Sequence, residues 1–234
     1  MRLASFAPPR VLAVYAHPDD ADIAAGGVMA LWASSGAHVE LVVVCDGSKG
    51  SHSAAAVQSH VVEEREKETR AAADVLGIRT VHTLGYPDGE VSNVSELREQ
   101  LVSIVRTLRP TIVIGPDPTA VFFGGVYINH RDHREVGWAL LDAVAPAAAM
   151  PLYYPRTGAA HQVETLLLTG THEPDIAVSI AAAIDQKVAA VLSHGSQLDG
   201  DVEGITHVVR SRASQSGQPV GAAFAEVFRC VELG

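Results

Sequence analysis

Val11-Leu-Ala-Val-Tyr-Ala-His-Pro-Asp-Asp20 opens on an apolar run and closes on an imidazole and two carboxylates. The apolar run is short and uninterrupted, which suits a strand buried on both faces of a sheet. The polar residues follow at once, at the strand's carboxyl end, where an open α/β sheet gathers its chemistry. Pro18 stiffens the turn between them. His17 and Asp20 can hold a metal, and Asp19 can stay free as a base. The competing account is a polar turn that caps the next helix, since aspartate is a good N-cap.

Outward from this stretch, strand and helix patterns alternate. Residues 22–35 read as a helix with small residues in its first turns, and residues 38–45 as a second buried strand. A Gly/Ser-rich loop (46–52) leads to a long charged helix (57–76), which Gly77 ends in the manner of a C′ glycine. A strand at 80–84, a turn at 85–89, a helix at 94–108 and a strand at 111–115 come next. A helix follows from 130 to 145, then strands at 163–168 and 176–178, a helix at 179–193 and a last apolar segment at 220–231. This alternation predicts βαβ units in an α/β, Rossmann-like three-layer sandwich with a mainly parallel sheet. No repeat or linker divides the chain, so residues 1–234 are expected to form a single domain.

The second polar cluster, Asn129-His-Arg-Asp-His133, opens the helix that follows the strand at 111–115. His130 and His133 share a helix face. Asp132 can fix an imidazole tautomer, and Asn129 is a candidate N-cap. Both clusters follow buried strands and should emerge on one edge of the sheet. His17, Asp20 and His133 then form a two-histidine, one-carboxylate set with open positions, the pattern of a catalytic zinc site with one divalent ion per chain. Asp19 and His130 are left beside it as base and oxyanion stabiliser.

Bulk composition excludes several classes. Asp and Glu number 27 against 17 Lys and Arg, a net charge of −10. That disfavours nucleic-acid binding and docking on anionic lipid. The two cysteines have no CxxC spacing, so neither a disulfide framework nor a zinc ribbon is expected. No apolar run approaches the ~20 residues of a membrane span, and the N-terminal residues do not read as a signal peptide. The expectation is a cytoplasmic enzyme with a small-molecule substrate and no nucleic-acid or membrane partner; homo-oligomers are common among such enzymes.

These residues resemble the N-acetylglucosaminyl-phosphatidylinositol de-N-acetylase family, also called PIG-L or LmbE-like. The resemblance rests on Ala16-His-Pro-Asp-Asp20, Gly26-Gly27 and His130–His133, and extends over roughly residues 10–200. It includes Arg65-Glu-Lys-Glu68 before Leu76-Gly77, the turn Leu84-Gly-Tyr-Pro-Asp-Gly89, Arg109-Pro110, and Lys187 followed by His194-Gly-Ser-Gln197. Ala21 departs from it, standing where many members carry glutamate.

The resemblance implies zinc-dependent removal of an acetyl group from an N-acetylated amino sugar. Asp19 is then the base, His130 the oxyanion stabiliser, and Asp132 the partner that keeps His130 charged. Arg65, Asp88, Lys49 and His194 are candidate substrate contacts. Some members place a mobile tyrosine two residues before the first histidine of HxDH; here Ile128 holds that position, with Tyr127 adjacent. The pocket is expected from the loops at 46–53, 116–129 and 151–160, with the aromatic, Gly-rich stretch 122–126 as a lid. Two alternatives stand beside this. One is a zinc amidase for another N-acyl or thiol-conjugate amide. The other is a catalytically silent Rossmann-like binding protein, disfavoured because the first strand leads into HPDD and not GxGxxG.

Overall fold

The computed structural model describes residues 1–198 and 200–234. Ten strands run in chain order: β1 (Arg2–Ala4), β2 (Arg10–Tyr15), β3 (His38–Cys45), β4 (Thr80–Tyr86), β5 (Ile112–Pro116), β6 (Phe122–Phe123), β7 (Tyr127–Ile128), β8 (Thr165–Thr169), β9 (Ile176–Ser179) and β10 (Ala225–Glu232). Between them lie α1 (Asp20–Ser34), α2 (Gln58–Leu76), α3 (Ser95–Leu108), α4 (Arg131–Asp142), α5 (Ile184–Leu192) and α6 (Val202–Gly217).

Eight strands form one sheet in the order β1-β9-β10-β8-β5-β2-β3-β4. The run from β8 to β4 is parallel throughout, and β10 is antiparallel to both β8 and β9. Alternation along β2 divides the core. Val11, Ala13 and Tyr15 pack with α1, α2 and α5 on one face, and Leu12, Val14 and Ala16 with α3 and α4 on the other. A strand buried on both sides needs an unbroken apolar sequence, which is why residues 11–15 read so plainly.

The topology places the chemistry. The chain enters the parallel sheet at β2, winds outward through β3 and β4, then returns to build β5 on β2's other side. The strand order reverses between β2 and β5, and the crevice at such a switch point is where ligands bind. Residues 17–20 leave β2 at that crevice, and residues 129–133 arrive there after β5.

Three elements were not read from the sequence. β1 is a three-residue edge strand, the β6–β7 hairpin has two-residue arms, and α6 is a sixteen-residue helix with only three buried residues.

Candidate metal centre and active-site cavity

His17, Asp20 and His133 meet at one point. His17 Nδ1 lies 3.2 Å from His133 Nε2 and 3.3 Å from Asp20 Oδ2, and His133 Nε2 lies 3.1 Å from Asp20 Oδ1. The outward nitrogens are engaged elsewhere. His133 Nδ1 faces Asn129 Oδ1 at 2.9 Å, and the Asn129 amide nitrogen is fixed by donating to Ala120 O. His17 Nε2 faces Asp88 Oδ1 at 3.2 Å and Asp132 Oδ2 at 3.4 Å.

Donation outward from both rings turns two nitrogen lone pairs toward each other across 3.2 Å, with a carboxylate beside them. Three acceptors so arranged repel unless a cation lies between them. The spacing matches about 3.3 Å, the edge of a tetrahedron with bonds of ~2.0–2.1 Å to zinc. The residues therefore fit a zinc-type ion. Outer carboxylates and amides on the histidines complete the pattern.

Carboxylates crowd the crevice: Asp20, Asp88 and Asp132 lie 3.2–3.4 Å from the His17 ring nitrogens. The Asp132 carboxyl is held down at about 2: burial opposes its charge and is outweighed by His17 and the Gly89 amide. Cys45 also approaches His17 and Asp132. Burial pushes its thiol up to about 11, and it donates to Asp132 Oδ2 at 3.4 Å.

Asp19 points elsewhere. It stands at the N-cap of α1 but makes no side-chain cap hydrogen bond, which removes the capped-turn account. Its Oδ1 accepts from Arg65 Nη2 at 3.2 Å. Adjacent carboxylates thus diverge, Asp20 toward the two imidazoles and Asp19 toward a buried guanidinium.

His130 differs from expectation in its state. It, and not Asn129, is the N-cap of α4, and its Nδ1 accepts from the Asp132 amide. Asp132 Oδ2 lies 3.9 Å from that nitrogen and is nearer His17, so Asp132 is a partner of His17. Burial, then the neighbouring His17, lowers the basicity of His130. The ring is a neutral imidazole with its Nε2–H free, 4.8 Å from His17 between centroids.

Residues 12–144 match the sequence profile of PIG-L, the GlcNAc-PI de-N-acetylases. A diacetylchitobiose deacetylase of Thermococcus kodakarensis is 30% identical over 227 residues, covering 95% of this chain and 83% of that one. The chain belongs to the PIG-L family. The solved N,N'-diacetylchitobiose deacetylase of Pyrococcus horikoshii superposes with a TM-score of 0.88 at 28% identity, over 96% of this chain and 84% of that one. A 4-carboxy-2-hydroxymuconate hydratase of Pseudomonas putida shares the fold alone, with a TM-score of 0.77 at 22% identity over 95% of each chain.

The remaining PIG-L motif residues build a frame behind the site. Arg65 and His194 are buried, so the structure does not present them to a substrate. Arg65 holds Asp19, and His194 Nε2 contacts Asp22 Oδ2 at 2.7 Å. Asp88, also buried, contacts His17 and accepts from the Lys49 amide. Lys49 is exposed and paired with Glu90 at 2.6 Å, away from the cavity. Glu68 accepts from the amide and hydroxyl of Ser196, and Gln197 donates to Gly50 O.

Lys187 pairs with Glu226, and together they grip the middle of α1. Lys187 Nζ donates to Ile23 O at 2.7 Å. The Glu226 carboxylate accepts from Gly27 N at 2.9 Å and Val28 N at 2.8 Å, as an anion does at a helix start. Both side chains are buried. Glu226→Ala leaves an ammonium buried without its partner, and unfolding in urea should show a loss of about 3–5 kcal/mol. An unchanged unfolding midpoint would show that the pair is not a structural clamp.

A cavity of about 630 Å³ opens over Asp20 and His133. The β6–β7 hairpin supplies one wall through Phe123, Val126 and Tyr127, and Tyr127 stands half-exposed with its ring 5.8 Å from Phe123. Two predicted loops, 46–53 and 151–160, do not line it. Loop 46–50 lies behind, over Arg65, and residues 149–158 fold around buried Arg106, which donates to the carbonyls of Met150 and Tyr154. The far wall comes instead from Thr169 at the end of β8, Gly170 after it and Arg212 on α6. Arg212 escaped the sequence because α6 carries only a faint apolar stripe; Asp201, whose side chain caps it by accepting from Gly204 N, was the available signal.

Proposed function

We propose that this chain is a zinc-dependent N-deacetylase that hydrolyses the acetamide of an N-acetylated amino sugar to acetate and a free amine. The observation that carries it is the convergence of His17 Nδ1, His133 Nε2 and the Asp20 carboxylate within 3.1–3.3 Å, lone pairs inward. Membership in PIG-L and likeness to diacetylchitobiose deacetylases support the substrate class.

His17, Asp20 and His133 would hold the ion. When bound, zinc supplies Lewis acidity, bringing a water's pKa toward ~7 and polarising the acyl carbonyl. Asp19 takes the proton of the attacking water and later gives it to the leaving nitrogen, so one carboxyl serves as base and then as acid. Arg65 fixes the orientation of Asp19. His130 donates its Nε2–H to the carbonyl oxygen as that atom gains charge, a contribution of roughly 3–4 kcal/mol. Asp132 and Asp88 hold the Nε2–H of His17, and Asn129 holds the Nδ1–H of His133.

The proposed unit is the whole of residues 1–234 acting on a small molecule in the cytoplasm. A reducing compartment suits two free cysteines, and no described helix is long and apolar enough to cross a membrane. Elemental analysis of the purified protein, with amine release from N-acetylglucosaminides, tests the reading. One zinc per chain and stoichiometric acetate are expected; stoichiometric zinc without hydrolysis of any acylated amine would sink it.

A further inference from the structure

Arg212 also borders a neighbouring hollow. A second hollow of about 480 Å³ lies between α5, α6 and β10, and Ile23, Ala24, Thr169, Gly170 and Arg212 border both. Its walls are apolar, with Val191 from α5 and Ile205 and Val208 from α6. Of the three charged residues that border it, Lys187 and Glu226 are paired with each other, and Arg212 stands at the wall shared with the first cavity. Gly170, which borders both, has φ 61, a backbone conformation that disfavours other residues. The volume lies within the ~300–1,000 Å³ usual for small-molecule sites.

Resting on the deacetylase reading, we propose that the substrate carries an apolar aglycone, which lies in this hollow while the N-acetyl sugar occupies the first. The sharing of a wall with the cavity over Asp20 and His133 favours part of the substrate over a separate partner. Binding strength should then follow the apolar area buried, with each methylene worth at most roughly a fourfold gain.

The test compares methyl and hexyl β-glycosides of N-acetylglucosamine on the zinc-loaded enzyme and on Val208→Asp. Val208 is 42% exposed, so a carboxylate there keeps its solvent and the fold is not strained. The wild type should show a KM at least about tenfold lower for the hexyl glycoside. Val208→Asp should lose that preference and turn over the methyl glycoside as before. Equal KM values in the wild type, or an undiminished preference in the variant, overturn the proposal. So does a self-associated wild type without hexyl preference that Val208→Asp converts to monomer, because a second copy then covers the hollow. If neither glycoside is deacetylated, the deacetylase reading fails and the hollow is judged by calorimetry with hexyl β-glucoside, which has no amide. Binding to the wild type and not to Val208→Asp supports an apolar-group site; binding to neither overturns it.

Discussion

Asp19→Asn is expected to lower kcat by roughly 10³-fold while zinc content stays at one ion per chain. Asp19 and Asp20 are sequence neighbours with different contacts: Asp20 meets both imidazoles, and Asp19 meets Arg65. Asparagine has the same shape and keeps an oxygen for the Arg65 guanidinium, but it cannot take a proton from water. Stability should also fall, since the substitution removes the charge opposite the buried Arg65 guanidinium, though not through a lost cap on α1. Metal analysis and steady-state rates on the same preparation separate the possibilities. Turnover near wild type would remove Asp19 as the base, and loss of zinc would make it a ligand.

His133→Ala is expected to empty the site, with both zinc and activity lost. Its Nε2 is one corner of a triangle whose other corners are His17 Nδ1 and the Asp20 carboxylate. Two ligands do not hold zinc against dialysis as three do. Asn129→Ala gives the graded case. It frees the His133 ring without removing its nitrogen, and metal affinity should fall by about 10–100-fold. Competition with a chromogenic chelator reads both. Unaltered zinc affinity in His133→Ala would show that the ion is held elsewhere, with His17, Cys45 and Asp132 the next set to consider.

The parallel half of the sheet was legible because strands buried on both faces require continuous apolar runs. Residues 38–45 were read to the residue, and 11–15 and 111–115 to within one. The meeting of His17, Asp20 and His133 was legible because two polar clusters followed two such strands. The antiparallel β10 was seen only as an apolar segment, and α6 not at all, since a helix that covers a surface with three buried residues leaves almost no periodic signal. The roles of Arg65, Asp88 and His194 were misplaced for a related reason. Sequence shows that a charged residue is present but not that it is buried against another charge. The charged run around Arg65 looks like a solvated helix face, and only the packing of α2 reveals that one of its members reaches Asp19.

The frame behind α1 has an evolutionary consequence. Arg65, Glu68, Lys187, His194 and Gln197 bond to the chain itself, so changes at them disturb the frame of α1 and not the walls that face the cavity. The parts facing the cavity, a hairpin with two-residue arms and one face of a sparsely buried helix, can diverge without disturbing that geometry. Lineages with the same signature can therefore drift to unrelated substrates, and laboratory retargeting of this enzyme should begin at residues 122–128 and along α6.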